Sequence, residues 1–269
     1  MDRRLNEIED LADSIGSAYL NKGKVNLNRI IADNNIRLIY SKYKDDFLGQ
    51  LVHELDNFYI HINLKDMKKT SGKARVTTAH ELGHYFIPEH RTQLQNGLSL
   101  SYNKDNTCNP DIPKEKEAER FASFLLMPKA EFSKICSFYN PGLESIIRLR
   151  DQFSTSIESS TIRYIRESAA PCMCIKLNAD FTYNYSFYNK RLSNIIKFKD
   201  KPSIRIDKSY LTDVICNLNA LPKFSYIENA TQISKWVASV SPGSKFDLVG
   251  LEQIVKLGRY GAMVFLMFS

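Results

Sequence analysis

Leu5, Ile8, Leu11, Ala12 and Ile15 recur at three- and four-residue steps, which predicts an amphipathic helix over 3–20. Asn26–Asn34 reads as a second, short helix, after which the period changes. Ile36–Tyr40, Gly49–Leu55 and Phe58–Ile62 read as strands, with Asp56-Asn57 as a hairpin turn between the last two. Lys73–Ile87 returns to helical spacing, with Val76, His80, Gly83, His84 and Ile87 on one side and Ala79, Leu82 and Phe86 beside them. The polar stretch 88–113, with Asn96-Gly97, Asn109-Pro110 and Pro113, reads as a long loop bordering a cleft. Lys114–Met127 is helical again, its buried stripe being Ala118, Phe121, Ala122, Leu125 and Leu126. Helices follow at 129–138, 142–153 and 157–167, the last two joined through Ser154-Thr155-Ser156 with Ser156 as N-cap. Beyond Ala169-Ala170-Pro171 come strands at Cys172–Leu177, Thr182–Tyr188, Ser203–Asp207 and Ala262–Phe268, and a helix at Tyr210–Asn217. The expected class is therefore α+β, in three parts: 1–140, a helical segment 141–169, and a mixed C-terminal domain 170–269.

His80-Glu81-Leu82-Gly83-His84 gives the first of these parts a chemistry. Histidines four apart share a helix face, so both imidazoles reach one zinc ion while Glu81 stands beside the open position as general base. Gly83 costs about 1 kcal/mol against Ala in a helix interior, and close approach of another backbone would compensate. A third ligand must come from elsewhere. His90 lies six residues after His84, but the pattern with that spacing has Gly where Ile87 stands, and a β-branched residue resists the positive φ of that turn. A solvated histidine after a helix end is the plainer account of His90. Among the carboxylates of 114–127, Glu115 falls about 55° from the centre of the apolar stripe, and Glu117 and Glu119 about 95–105° away. Glu115 points inward, Glu119 stands second, and the alternative role for all three is to complement the helix dipole.

Two stretches carry a resemblance. His80-Glu-Leu-Gly-His84-Tyr-Phe, with Glu115-Lys-Glu-Ala118-Glu-Arg-Phe121-Ala122-Ser-Phe-Leu-Leu-Met-Pro128, resembles the ImmA/IrrE family of bacterial and phage zinc peptidases. The resemblance implies a zincin-like fold and one Zn2+, with Mn2+ as an alternative, held by His80, His84 and Glu115, with Glu81 as base. It implies cleavage of a helix-turn-helix repressor, to derepress stress or mobile-element genes, and a sensor or interaction role for the C-terminal domain. Glu119 departs from the family pattern, which has Asn there, and puts an extra acid one turn from Glu115. In zincins an extended substrate pairs with an edge strand, for which Phe58–Asn63 is the candidate. His53 and His61 read as sheet-surface residues, and Tyr85 and Tyr102 as candidate oxyanion donors.

Composition alters this picture little. Of 269 residues, 43% are hydrophobic and 25% charged, an ordinary globular balance, and no run approaches the 18 apolar residues of a membrane span. The N-terminus lacks an apolar signal region, and five cysteines fit a reducing compartment, so a cytoplasmic location is expected. Cys172 and Cys174 alternate along a strand as small hydrophobes, while Cys108 lies in the loop between the motifs. The net charge of +7 resides mostly in residues 171–269, with 13 Lys+Arg against 7 Asp+Glu, a solvated basic face or an anion-binding one. A DNA reader would use Ser159, Ser160, Arg163 and Arg166, but two helices closing a core explain 142–167 better and nucleic acid is not the expected partner. Phe181, Tyr183, Tyr185 and Phe187 share one strand face, expected to be core. A non-catalytic zincin-fold regulator acting through the basic C-terminal domain is the competing reading.

Overall fold

A computed structural model describes residues 3–97, 100–103, 112–198, 202–222, 224–239 and 248–268. Two compact units emerge, one of 1–139 with 148–159 and one of 140–147 with 160–269. Their mixture of helices and small sheets is the expected α+β class.

In the first unit, a four-stranded sheet runs in the order Arg37–Ser41, Asn57–Asn63, Phe47–Glu54, Leu100–Asn103. The first pair is parallel and the rest antiparallel. Asn57–Asn63 is therefore an interior strand and cannot receive an extended chain along its edge, contrary to expectation. The hairpin turn falls one residue early, on Leu55 and Asp56, both at positive φ, because Glu54 pairs with Asn57. The sheet supports the helix Gly72–Phe86, capped by Ser71, whose Oγ accepts from the Ala74 N–H at 3.1 Å. That helix ends at Ile87, ahead of Pro88.

Pro88 does not open a loop. It is the first residue of a further helix, Pro88–Gln95, and Leu100–Asn103 then adds a strand. Proline lacks only an N–H that a first helical turn leaves unused, so the residue that stops one helix starts the next. The helix Ile112–Leu126 packs on both Gly72–Phe86 and the N-terminal helix Arg3–Ala18. Ala118, Phe121, Ala122, Leu125 and Leu126 are all buried, as their spacing requires.

The second unit is built on a five-stranded antiparallel sheet, Tyr226–Gln232, Val249–Lys256, Ala262–Phe268, Cys172–Leu177, Tyr183–Tyr188 in order. Met173, Ile175, Val264 and Leu266 pack with Leu211 and Leu218 of the helix Lys208–Asn219, and with Trp236. Cys172 and Cys174 are buried, and burial pushes the Cys172 thiol up to about 11, so these are inert packing residues. Of the four aromatics expected in the core, Phe181 packs against it, but Tyr183 is exposed and Tyr185 and Phe187 are half-buried on an edge strand. Ser160 and Arg163 of the helix Ile157–Glu167 are fully buried, with Arg163 paired to Glu167 at 3.2 Å. Arg166 lies over the Phe187 ring. Buried side chains cannot reach base edges, so Ser160 and Arg163 leave the candidate DNA-reading set, while Ser159 and Arg166 are half-buried.

Candidate metal centre

The helix Gly72–Phe86 presents His80 and His84 one turn apart, and the first turn of Ile112–Leu126 brings Glu115 to meet them. His80 Nε2 lies 3.1 Å from His84 Nε2 and 3.1 Å from Glu115 Oε2, and His84 Nε2 lies 3.4 Å from Glu115 Oε1. All three residues are buried. Gly83 explains how the helices come so close. A Cβ there would sit 3.1 Å from the Ala118 Cα and carbonyl oxygen, so the expected compensation for this glycine is backbone contact with the partner helix.

These separations test the fit of a cation. Four ligands at 2.0–2.1 Å around tetrahedral zinc stand about 3.3 Å apart along each edge of the tetrahedron. The His80–His84 and His80–Glu115 Oε2 separations match such edges, His84 faces the other Glu115 oxygen, and one ligand atom from each of the three residues lies within 4.8 Å of the others. Burial works to raise the Glu115 pKa, but hydrogen bonds and charge from His80 and His84 outweigh it and hold the carboxylate at about 2. The donor set is thus two imidazole nitrogens and an anionic oxygen, a combination suited to zinc.

Glu81 is placed differently. Its carboxylate is wholly buried and, among the described residues, neither oxygen has a well-formed hydrogen bond. Burial first, and the Glu115 charge second, raise its pKa well above the usual carboxylate range, with the Leu51 backbone N–H acting the other way. The strand Phe47–Glu54 covers it. A Cβ on Gly49 would lie 2.6 Å from Glu81 Oε1 and 2.5 Å from Thr77 Cγ2, so only glycine lets the strand pass. Nothing in the sequence pattern singled out Gly49 or Thr77.

The other candidates disperse. His90 is buried rather than solvated, with Nδ1 3.1 Å from His84 Nδ1 and Nε2 3.2 Å from Glu117 Oε2, so it stands behind His84. Burial, then the charges of His84, Lys114 and Arg4, lower its pKa to about 3 and keep it neutral. Glu117 turns to Arg4 and His90, and Glu119 is exposed, so neither joins the cluster. Tyr85 packs edge-on against Phe58 at 5.0 Å, with Arg91 over its ring. The strand bearing Tyr102 pairs with Gly49, but the Tyr102 side chain and Cys108 lie outside the described residues. His61 accepts or donates a 2.7 Å hydrogen bond with Tyr43, and the His53 ring lies tilted against Phe58 at 4.7 Å, as sheet-surface residues do.

Comparison with known proteins fits this geometry. No curated protein sequence matches the chain. A transcriptional regulator from Mycobacterium tuberculosis shares the fold with a TM-score of 0.61, at 9% identity, over 98% of this chain and 75% of that one. Likeness at that identity concerns fold alone. Among the described residues, no helix is long and apolar enough to cross a membrane. The family model described as the IrrE N-terminal-like domain, Peptidase_M78, matches residues 39–164, which span both motifs, His80 to His84 and Glu115 to Pro128. Residues 39–164 thus match a metallopeptidase-type domain, in agreement with the ImmA/IrrE family that the two motifs resemble.

Proposed function

We propose that this chain is a zinc-dependent endopeptidase in which His80, His84 and Glu115 hold the ion and Glu81 is the general base. The observation that carries the reading is the convergence of His80 Nε2, His84 Nε2 and the Glu115 carboxylate, one ligand atom from each within 4.8 Å of the others, with Glu81 in the same helix turn. A divalent ion bound there supplies a Lewis acid that polarises a peptide carbonyl and acidifies water. Glu81 takes the proton of the attacking water on a carboxylate oxygen and returns it to the leaving amine, so the base is regenerated in each cycle.

The proposed substrate is a helix-turn-helix repressor in the cytoplasm, read through a peptidase part at 1–140, a helical segment at 141–169 and a sensor or interaction part at 170–269. Support for a regulatory setting comes from the family and from the fold shared with a transcriptional regulator. A second reading, a latent or non-catalytic zincin-fold regulator, is favoured by one observation: Glu81 is sealed from solvent by the Gly49 strand.

Co-expression with helix-turn-helix repressors encoded beside the gene separates the two. Wild type should cut its repressor, and Glu81→Gln should keep its zinc while losing about 10²–10⁴-fold in rate. Cleavage by Glu81→Gln at the wild-type rate would remove the assigned role.

A further inference from the structure

Behind the cluster runs a second line of polar atoms. His84 turns Nε2 toward His80 and Glu115 and Nδ1 toward Nδ1 of His90 at 3.1 Å, with the two rings 5.1 Å apart. Two imidazole nitrogens at that distance share one proton, so one donates and the other accepts. A cation needs the Nε2 lone pair of His84, and a neutral imidazole with a free Nε2 carries its proton on Nδ1. His84 is then the donor, His90 Nδ1 the acceptor, and the His90 proton is left on Nε2. That atom is buried, lies 3.2 Å from Glu117 Oε2 and has no better-aligned partner among the described residues. Arg4 holds Glu117 in turn, with Nε and Nη2 at 3.3 and 3.4 Å from its oxygens, and spans to Glu89 at 2.6 Å.

We propose that His90 is a positioning residue: it locks His84 in the Nδ1-protonated form and fixes its ring, and Glu117 with Arg4 anchors His90. The inference rests on the metal-centre reading above and deepens it. Metal-bound histidines commonly donate their second nitrogen to a carboxylate or carbonyl. Here a neutral imidazole is interposed, so the anion stands one residue further from the ion. The arrangement also accounts for a buried histidine that joins neither the ligand set nor the apolar core.

The test uses the full chain. Nitrogen–proton correlation spectra of the imidazoles in zinc-loaded wild type should show His84 protonated at Nδ1 and His90 at Nε2. Zinc affinity, read by chelator competition, should fall about 10–100-fold in His90→Leu. His90→Asn, whose Oδ1 reaches the place of the Nδ1 acceptor, should restore most of it. A His90 protonated at Nδ1, or equal affinity for wild type and folded His90→Leu, overturns the positioning role and leaves the metal centre standing. If wild type binds no zinc, the metal-centre reading fails first and this inference falls with it. Should His90→Leu not fold, the wild-type spectrum alone decides.

Discussion

Glu81 and Glu252 are both fully shielded from solvent, one in each unit, and their surroundings are opposites. Glu252 is met by donors: Trp236 Nε1 at 2.7 Å, Lys235 Nζ at 3.0 and 3.2 Å, and the Tyr210 hydroxyl. Burial would raise its pKa, but these hydrogen bonds and the Lys235 charge win and lower it. Glu81 has no well-formed hydrogen bond among the described residues, only the Leu51 backbone N–H acting on it, and its pKa goes up. A buried carboxylate that is fully satisfied is a structural tie, binding the helix Lys208–Asn219 and Trp236 to the sheet. One left unsatisfied beside three convergent ligand atoms costs stability with no structural return, as the proposed catalytic role of Glu81 requires.

Replacement tests the contrast most directly. Glu252→Leu strands the Trp236 and Tyr210 donors and the Lys235 charge, and should destabilise the second unit by about 3 kcal/mol in urea unfolding. A loss below about 1 kcal/mol would show that the tie is idle. Gly49→Ala should cost about 1–3 kcal/mol by overpacking against Thr77 and Glu81, and should depress cleavage while zinc affinity holds. Unchanged stability and rate in that variant would mean that the strand has room to spare over Glu81.

The smallest effect is in the pH dependence of the metal-free protein. The lowered Glu252 contributes stability that is present above about pH 4.3 and is lost as pH falls through its folded value. The raised Glu81 does the reverse. Its penalty is absent below about pH 4.3, because both states are then protonated, and grows as pH rises toward its folded value. Glu81→Gln should therefore stabilise the apoprotein at neutral pH by about 1 kcal/mol, with the gain vanishing in acid. Thermal melts across pH 3.5–8 with chelator present would show it, and a destabilised Glu81→Gln at neutral pH would break the comparison.

Legibility divides along the same line. The strands Cys172–Leu177, apolar but for Lys176, and Ala262–Phe268 are largely buried runs and could be read directly. Val249–Lys256 could not, because Glu252 and Gln253 interrupt its apolar pattern. Both are buried all the same, Glu252 on the donors above and Gln253 accepting from Leu143 N at 2.6 Å while donating to Glu228. Its edge partner Tyr226–Gln232 is polar along one face and gave no alternating signal. His90 was equally opaque, since its partners are the far nitrogen of His84 and an acid 27 residues on.

Local spacing alone determined the helix with His80 and His84, the apolar stripe that turns Glu115 inward, and the need for a close neighbour at Gly83, since each depends only on the geometry of one helix. Tertiary structure decided the rest: which carboxylate meets the histidines, that Asn57–Asn63 lies inside its sheet, that Gly49 seals Glu81, and that Glu252 is a tie rather than a surface charge. Those outcomes rest on partners distant in the chain, and the state of a buried polar group is set by the donors around it rather than by its neighbours in sequence.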